Sequence, residues 1–252
     1  MLDTRGVVSR IIPFSSVDGP GNRFAVFLQG CALNCHYCHN PETRPIILPE
    51  ALGTQQQGNP RIRTRVLTAG EIIDQMKPLT PFLRGLTISG GECLLQPDFV
   101  TALVRKTRDI VNLGTLLDTC GHRPFADLPE IFDHIEGVML DVKAWDTQEH
   151  QRLTGFSNSP VLENLRWAGE RGLLTEVRTV IVPDEFNSHE TVKATARSMV
   201  EVGAQAAPYV LIRFRPQGVR RAWRDLRPPT DGELNRLVEI AHNEGLEKVL
   251  IR

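Results

Sequence analysis

The stretch Gly30-Cys31-Ala32-Leu33-Asn34-Cys35-His36-Tyr37-Cys38-His39-Asn40 sets three cysteines in the spacing C-x3-C-x2-C. Three thiolates this close can hold three corners of a [4Fe–4S] cube, whereas ordinary electron-transfer clusters use four cysteines. The fourth iron is then open to a substrate, which makes such a centre a catalyst. A closed structural zinc site wants four N/S ligands, usually as two paired knuckles. No second Cys-x2-Cys stands in the chain.

Around this loop the composition is that of a globular protein. The chain has 252 residues, 41% hydrophobic and 23% charged, enough to bury one large core. A formal net charge of -1 favours neither nucleic acid nor an anionic membrane as partner. No apolar run approaches the roughly 18 residues of a membrane span. The opening Met1-Leu2-Asp3-Thr4-Arg5-Gly6 lacks a signal-peptide core. Five cysteines are an odd number, and three belong to one motif, so a disulfide framework is not expected. A reducing, cytoplasmic setting is.

Short β-rich runs alternate with amphipathic helices outward from the loop. The strands are expected at Phe24–Gln29, Leu86–Ser89, Thr115–Asp118, Val138–Val142, Glu176–Val182 and Tyr209–Phe214. They are nearly continuous apolar runs, as parallel strands buried on both faces should be. Thr68-x-x-Glu71 is a capping box opening Ala69–Met76, and Thr230-x-x-Glu233 opens another helix that Gly245 ends. Helices are also expected over Pro97–Val111, from Ser159-Pro160 to Gly172, and from Ser188 to near Gly203, with a last short strand at Leu250-Ile251. Six β/α units suit an incomplete (β/α)6 barrel of the TIM type, with the cysteine loop after its first strand. Residues 1–252 read as one domain, and Arg44–Arg65, rich in Gln, Pro and Arg, reads as a surface excursion.

In parallel β/α proteins the chemistry collects at the C-terminal ends of the strands. The second strand ends in Ser89-Gly90-Gly91-Glu92, where two glycines allow close backbone approach and the glutamate can accept from an ammonium group. The third ends in Asp118-Thr119-Cys120-Gly121 and the fourth in Met139-Leu140-Asp141-Val142-Lys143. A lysine there suits a substrate carboxylate, and a pair of carboxylates can hold a small cation. Cys93 and Cys120 read as small buried residues rather than a redox pair.

Together these motifs resemble the radical SAM superfamily. Within it the chain resembles the glycyl-radical-enzyme activating enzymes, the pyruvate formate-lyase activase group. Val17-Asp18-Gly19-Pro20-Gly21-Asn22-Arg23 matches that group's VDGPG-x-R stretch, and Gln29-Gly30-Cys31 through His39-Asn40-Pro41 matches its QGC…CHNP run. Ser89–Glu92, Asp118-Thr119-x-Gly121, Met139-Leu140-Asp141-x-Lys143 and Val180-Ile181-Val182-Pro183 follow in order. Leu140 to Trp145 and Leu153-Thr154-Gly155 resemble the YjjW-like activases.

The resemblance implies one [4Fe–4S] cluster on Cys31, Cys35 and Cys38, with S-adenosylmethionine beside it. Tyr37, Cys38 and His39 would line the adenine side, and Gly90, Gly91 and Glu92 would meet the methionine amino group. Asp141, Val142 and Lys143 would serve the ribose and the methionine carboxylate. Asp118, Thr119, Met139 and Asp141 match positions that bind a monovalent cation, and Asp18 matches the substrate-approach loop. Two departures stand out. No cysteine lies in Thr43–Leu67, so no ferredoxin-like insert is expected, and Arg215 stands where the group has a histidine that contacts S-adenosylmethionine.

The implied activity is reductive cleavage of S-adenosylmethionine and transfer of the radical to a glycine of a partner protein. Flavodoxin or ferredoxin would donate the electron. The alternative is a radical SAM enzyme acting on a small molecule. A non-catalytic iron–sulfur carrier or zinc scaffold is the alternative from another class.

Overall fold

The computed structural model describes residues 4–49 and 64–252. The excursion expected over Arg44–Arg65 lies largely outside the described residues. The six expected barrel strands all form, three in each of two compact units.

The first unit comprises Met1–Ala32, Glu42–Thr119 and Leu128–Gly137. It carries β1 (Arg5–Ser15), β2 (Arg23–Leu28), β3 (Arg65–Thr68), β4 (Gly85–Gly90) and β5 (Gly114–Thr119) in the order β3-β1-β2-β4-β5. Strands β2, β4 and β5 are parallel, with Val26 opposite Ile88 and Ile88 opposite Leu117. All six residues of β2 are buried, as strands covered on both faces require. The capping box forms as expected: Thr68 accepts from the Glu71 N–H, Glu71 accepts from Thr68, and helix α1 (Ala69–Met76) follows. Helix α2 (Pro97–Lys106) runs into a π-helical turn over Thr107–Val111, and Asn112 closes it at φ 54°. A single turn, α3 (Pro129–Phe132), completes the unit. Below the strands Arg23 is fully buried and donates to Thr87 Oγ1 (2.8 Å) and the Leu86 carbonyl (2.7 Å), with Glu136 at 3.4 Å. Burial pulls its pKa down, and Glu136 opposes that.

The second unit comprises Leu33–Pro41, Cys120–Asp127 and Val138–Arg252. Its strands β6 (Gly137–Asp141), β7 (Leu174–Ile181), β8 (Tyr209–Arg213) and β9 (Val249–Ile251) are parallel neighbours in chain order. Four helices connect or flank them: α4 (Thr147–Thr154), α5 (Ser159–Glu170), α6 (Ser188–Glu201) and α7 (Asp231–Asn243). Gly172, Gly203 and Gly245 each follow a helix at positive φ, and only a residue without Cβ adopts that freely. The pairing of β6 with β7 contains a bulge: Val138 faces Leu174, yet Met139 faces Glu176 and Asp141 faces Arg178. Tyr37, Ala144, Leu153, Val182, Phe186, Phe214 and Val219 form a buried apolar cluster at the strands' C-terminal ends.

Four of the labelled elements go beyond the expectation: β1, β3, α3 and α4. Helix α4 is polar along most of its length, and its only buried residues are His150, Leu153 and Thr154.

Candidate active site

In the first unit, strands β4 and β5 bring Ser89, Glu92, Asp118 and Thr119 together. The Ser89 hydroxyl donates to Asp118 Oδ2 at 2.9 Å. Glu92 is buried, and its Oε1 accepts from Thr119 Oγ1 (2.7 Å) and the Leu94 N–H (2.9 Å). That carboxylate thus caps a short turn over Cys93–Leu95. Cys93 is buried, with its Sγ 3.5 Å from the Asp118 carbonyl, and burial pushes its thiol pKa well up. Its burial agrees with the reading of Cys93 as a small buried residue.

Gly90 and Gly91 have a local reason to be glycine. A Cβ on Gly91 would lie 2.4 Å from the Gly30 carbonyl oxygen, and one on Gly90, at φ 125°, would lie 2.2 Å from that of Leu28. The two residues hook onto the end of β2, where the Gly91 N–H donates to Leu28 (3.0 Å) and the Glu92 N–H to Gly30 (2.8 Å). Cys31 leaves this strand end with its N–H on the Arg44 carbonyl at 3.0 Å.

In the second unit, Lys143 and Asp141 form a pair at the end of β6. Lys143 Nζ donates to Asp141 Oδ2 at 3.0 Å, and Arg178 Nε stands 3.5 Å from Asp141 Oδ1. Burial disfavours the Lys143 charge, but Asp141, with lesser help from Cys35, Tyr37 and Cys120, holds its pKa well above the usual lysine value. Burial likewise opposes the Asp141 charge, and Lys143 and Arg178 overcome it, so its pKa is lowered. Val142 is locked between them, its N–H on the Arg178 carbonyl and its own carbonyl accepting from Thr179 Oγ1, both at 2.8 Å. Met139 is buried in β6.

The cysteine loop of this unit packs on the same strand ends. Tyr37 is buried, and its hydroxyl has no hydrogen-bond partner among the described residues. Burial raises the pKa of Tyr37 and of the Cys35 thiol, and the Lys143 charge moderates both. His39 donates through Nε2 to the Arg215 carbonyl at 2.9 Å, and its ring lies 6.0 Å from that of Phe214. Arg215 itself is exposed just beyond β8. Cys120 Sγ sits 3.7 Å from His122 Nδ1, and Asn164 ties down the segment after it through the carbonyls of Gly121 and Arg123 and the N–H of Phe125.

None of the five cysteines, all among the described residues, is in a disulfide. A donor set of cysteines outside any disulfide, a buried tyrosine hydroxyl without a partner among the described residues and a lysine kept charged fit a thiolate-held cluster with a charged ligand beside it. Of Arg178, His36 and Arg220, sequence reasoning missed the first and left the partners of the other two unread. Arg178 had a signal, a charge inside the apolar run of β7. The other two act through partners about 150 and 185 positions away.

Comparison with known proteins accords with this arrangement. A family model for the radical SAM superfamily matches residues 25–197. A pyruvate formate-lyase-activating enzyme from Streptococcus mutans is 31% identical over 96% of this chain and 93% of that protein. An isethionate sulfite-lyase activating enzyme from Oleidesulfovibrio alaskensis is 28% identical over 82% of this chain and 84% of that protein. Among solved structures, a domain of pyruvate-formate lyase-activating enzyme from Bacteroides vulgatus has a TM-score of 0.58 at 20% identity, over 67% of this chain and 98% of that one. That likeness bears on fold alone, and it agrees with the α/β order of strands and helices. The chain is an enzyme that belongs to the radical SAM superfamily, within the glycyl-radical-enzyme activating enzymes.

Proposed function

We propose that this enzyme installs a glycyl radical on a partner protein, using one [4Fe–4S] cluster held by Cys31, Cys35 and Cys38. The observation that carries the reading is a C-x3-C-x2-C loop, none of its cysteines in a disulfide, in a chain 31% identical, over 96% of its length, to an activase. When bound, the cluster supplies one electron that cleaves S-adenosylmethionine, and the resulting 5′-deoxyadenosyl radical takes an α-hydrogen from the partner's glycine.

The residues of the chain hold, orient and shield. Lys143, kept cationic by Asp141, offers a point charge to the methionine carboxylate. The backbone of Gly90 and Gly91, with Glu92, takes the methionine amino group. Tyr37, Cys38 and His39 flank the adenine, and Asp141 and Val142 the ribose. Asp118, Thr119, Met139 and Asp141 offer oxygens that suit a monovalent cation. The apolar cluster around Tyr37, Val182 and Phe214 keeps water from the site. Arg215, exposed beyond β8, faces the ligand or the partner protein. The partner is a glycyl-radical protein and the electron donor a flavodoxin or ferredoxin in the cytoplasm, with residues 1–252 acting as one domain.

Anaerobic reconstitution tests this. The wild type is expected to hold about four irons per chain and, with reductant, S-adenosylmethionine and a candidate partner, to give a glycyl-radical EPR signal. Cys31→Ala loses both, whereas Cys93→Ala keeps the iron. Iron lost from the Cys93 variant and retained in the Cys31 variant refutes the ligand assignment.

A further inference from the structure

The cysteine loop of the second unit is gripped from two sides. On one, the N–H groups of Asn34 and His36 donate to the carbonyls of Thr154 (2.7 Å) and Leu153 (3.0 Å). These belong to the last turn of α4, whose carbonyls have no partner within the helix. On the other, Arg220 Nη2 donates to the carbonyls of Asn34 (3.1 Å) and Cys35 (2.9 Å). Three residues on, Trp223 stacks on His36, with centroids 3.6 Å apart and planes 11° apart. His36 Nδ1 lies 3.0 Å from Glu185 Oε2.

Arg220 differs from Arg213 and Arg227. Arg213 pairs with Asp231, and Arg227 with Asp184 and Glu233. Arg220 is partly buried, forms no ion pair among the described residues, and has a buried Nε without a hydrogen-bond partner. A cation half removed from water is unfavourable unless negative charge lies near it. A loop of cysteine thiolates around a metal centre is such a charge. Hydrogen bonds and charge close to the sulfurs are also what tune the potential of a cluster.

We propose that Arg220 is a positioning residue for Cys35: its guanidinium clamps two consecutive carbonyls of the loop, and its fixed charge favours the reduced, more negative state of the centre held there. The inference rests on the cluster reading of Cys31, Cys35 and Cys38.

The test compares full-length wild type, Arg220→Met and Arg220→Lys after anaerobic reconstitution, reading iron content and EPR-monitored reduction at poised potentials. All three are expected to bind about four irons. At a fixed potential the reduced-to-oxidised ratio of Arg220→Met falls about tenfold, the effect of removing one charge-assisted interaction. For one electron that is about 59 mV. Arg220→Lys keeps the charge but not the planar fork. It recovers most of the ratio, with broader EPR lines from a looser loop. A wild-type potential and line shape in Arg220→Met overturns the proposal. If Arg220→Met binds too little iron to titrate, Arg220→Lys decides: restored iron supports the clamp, and iron no higher than in the Met variant overturns it. A wild type that holds no iron overturns the cluster reading and the proposal with it, whereas every other outcome bears on Arg220 alone.

Discussion

Gly91→Ala probes the junction of β2 and β4 with a single methyl group. The added Cβ would stand 2.4 Å from the Gly30 oxygen, 2.8 Å from the Gly30 carbonyl carbon and 2.8 Å from the Thr43 oxygen. All three neighbours are backbone, so no side chain can swing away. Relief requires Gly30 to move, and that residue is held by its own N–H on Thr43 at 2.7 Å and by the Glu92 N–H at 2.8 Å. Overpacking of this kind costs roughly 1–3 kcal/mol. Loosening two hydrogen bonds adds about 1 kcal/mol each. The expected loss is therefore about 3–5 kcal/mol, a large part of a typical domain's 5–15 kcal/mol. With a urea slope of about 3 kcal/mol/M the unfolding midpoint of the apo-protein drops by roughly 1–1.7 M. Gly232→Ala is the control, because nothing lies within 4 Å of its Cβ and it sits inside helix α7. There the substitution should be neutral or stabilise by up to about 1 kcal/mol. Equal midpoints for the two variants in circular-dichroism titrations would refute the argument that the glycine is dictated by its own backbone neighbours.

Lys143→Met leaves Asp141 with Arg178 alone. Breaking a buried pair costs about 3–5 kcal/mol, but Asp141 is 26% exposed and keeps one partner, so the expected loss is nearer 1–2 kcal/mol at pH 7. Because the folded-state pKa of Asp141 is lowered, its contribution is present above the ordinary aspartate range and fades as pH falls below it. The gap in melting temperature between wild type and variant should then close in acid. In the loaded enzyme the same change should weaken S-adenosylmethionine binding about 10- to 150-fold by equilibrium dialysis. His150, buried with Nδ1 on the Phe156 carbonyl, has its pKa lowered first by burial and then by Lys143. The unfolded chain binds that proton more readily, so stability falls as pH drops below about 6.5, by at most about 1.4 kcal/mol per pH unit. His150→Gln should flatten this part of a urea-midpoint profile, and an unchanged profile sinks the assignment.

The strands and capped helices were legible because their causes are local. Apolar runs such as Phe24–Leu28 and Val138–Leu140 are buried on both faces, and Thr68 and Thr230 cap the turn three residues ahead. The cysteine loop and the strand-end motifs were legible because each lies within a dozen residues. Strand β1 was not. Its burial switches along its length, Pro13 interrupts it, and two bulges break its register with β2. Helix α4 carried a readable start in Asp146, which accepts from Gln148 and Glu149, and a readable stop in Gly155 at φ 85°. Only its weak apolar face hid it. The grip of Arg220 on Cys35 could not be read at all, since it joins residues 185 positions apart.

The bulge between Val138 and Met139 sets the phase of the chemistry on β6 and β7. Counted regularly from the Val138–Leu174 pair, Asp141 would face Val177, but with one extra residue on β7 it faces Arg178. Neighbours in register project to the same side of a sheet, and a one-residue slip turns a side chain to the opposite side. Thr175, the added residue, thus acts as a spacer in an otherwise regular ruler. A chain lacking it could still form a well-paired strand and a sound core. It would do so with the guanidinium of Arg178 carried away from Asp141, so that folding would survive a deletion that the carboxylate–cation array does not. The length of β7 ahead of Arg178, as much as the residue types in it, therefore fixes the pairing with Asp141.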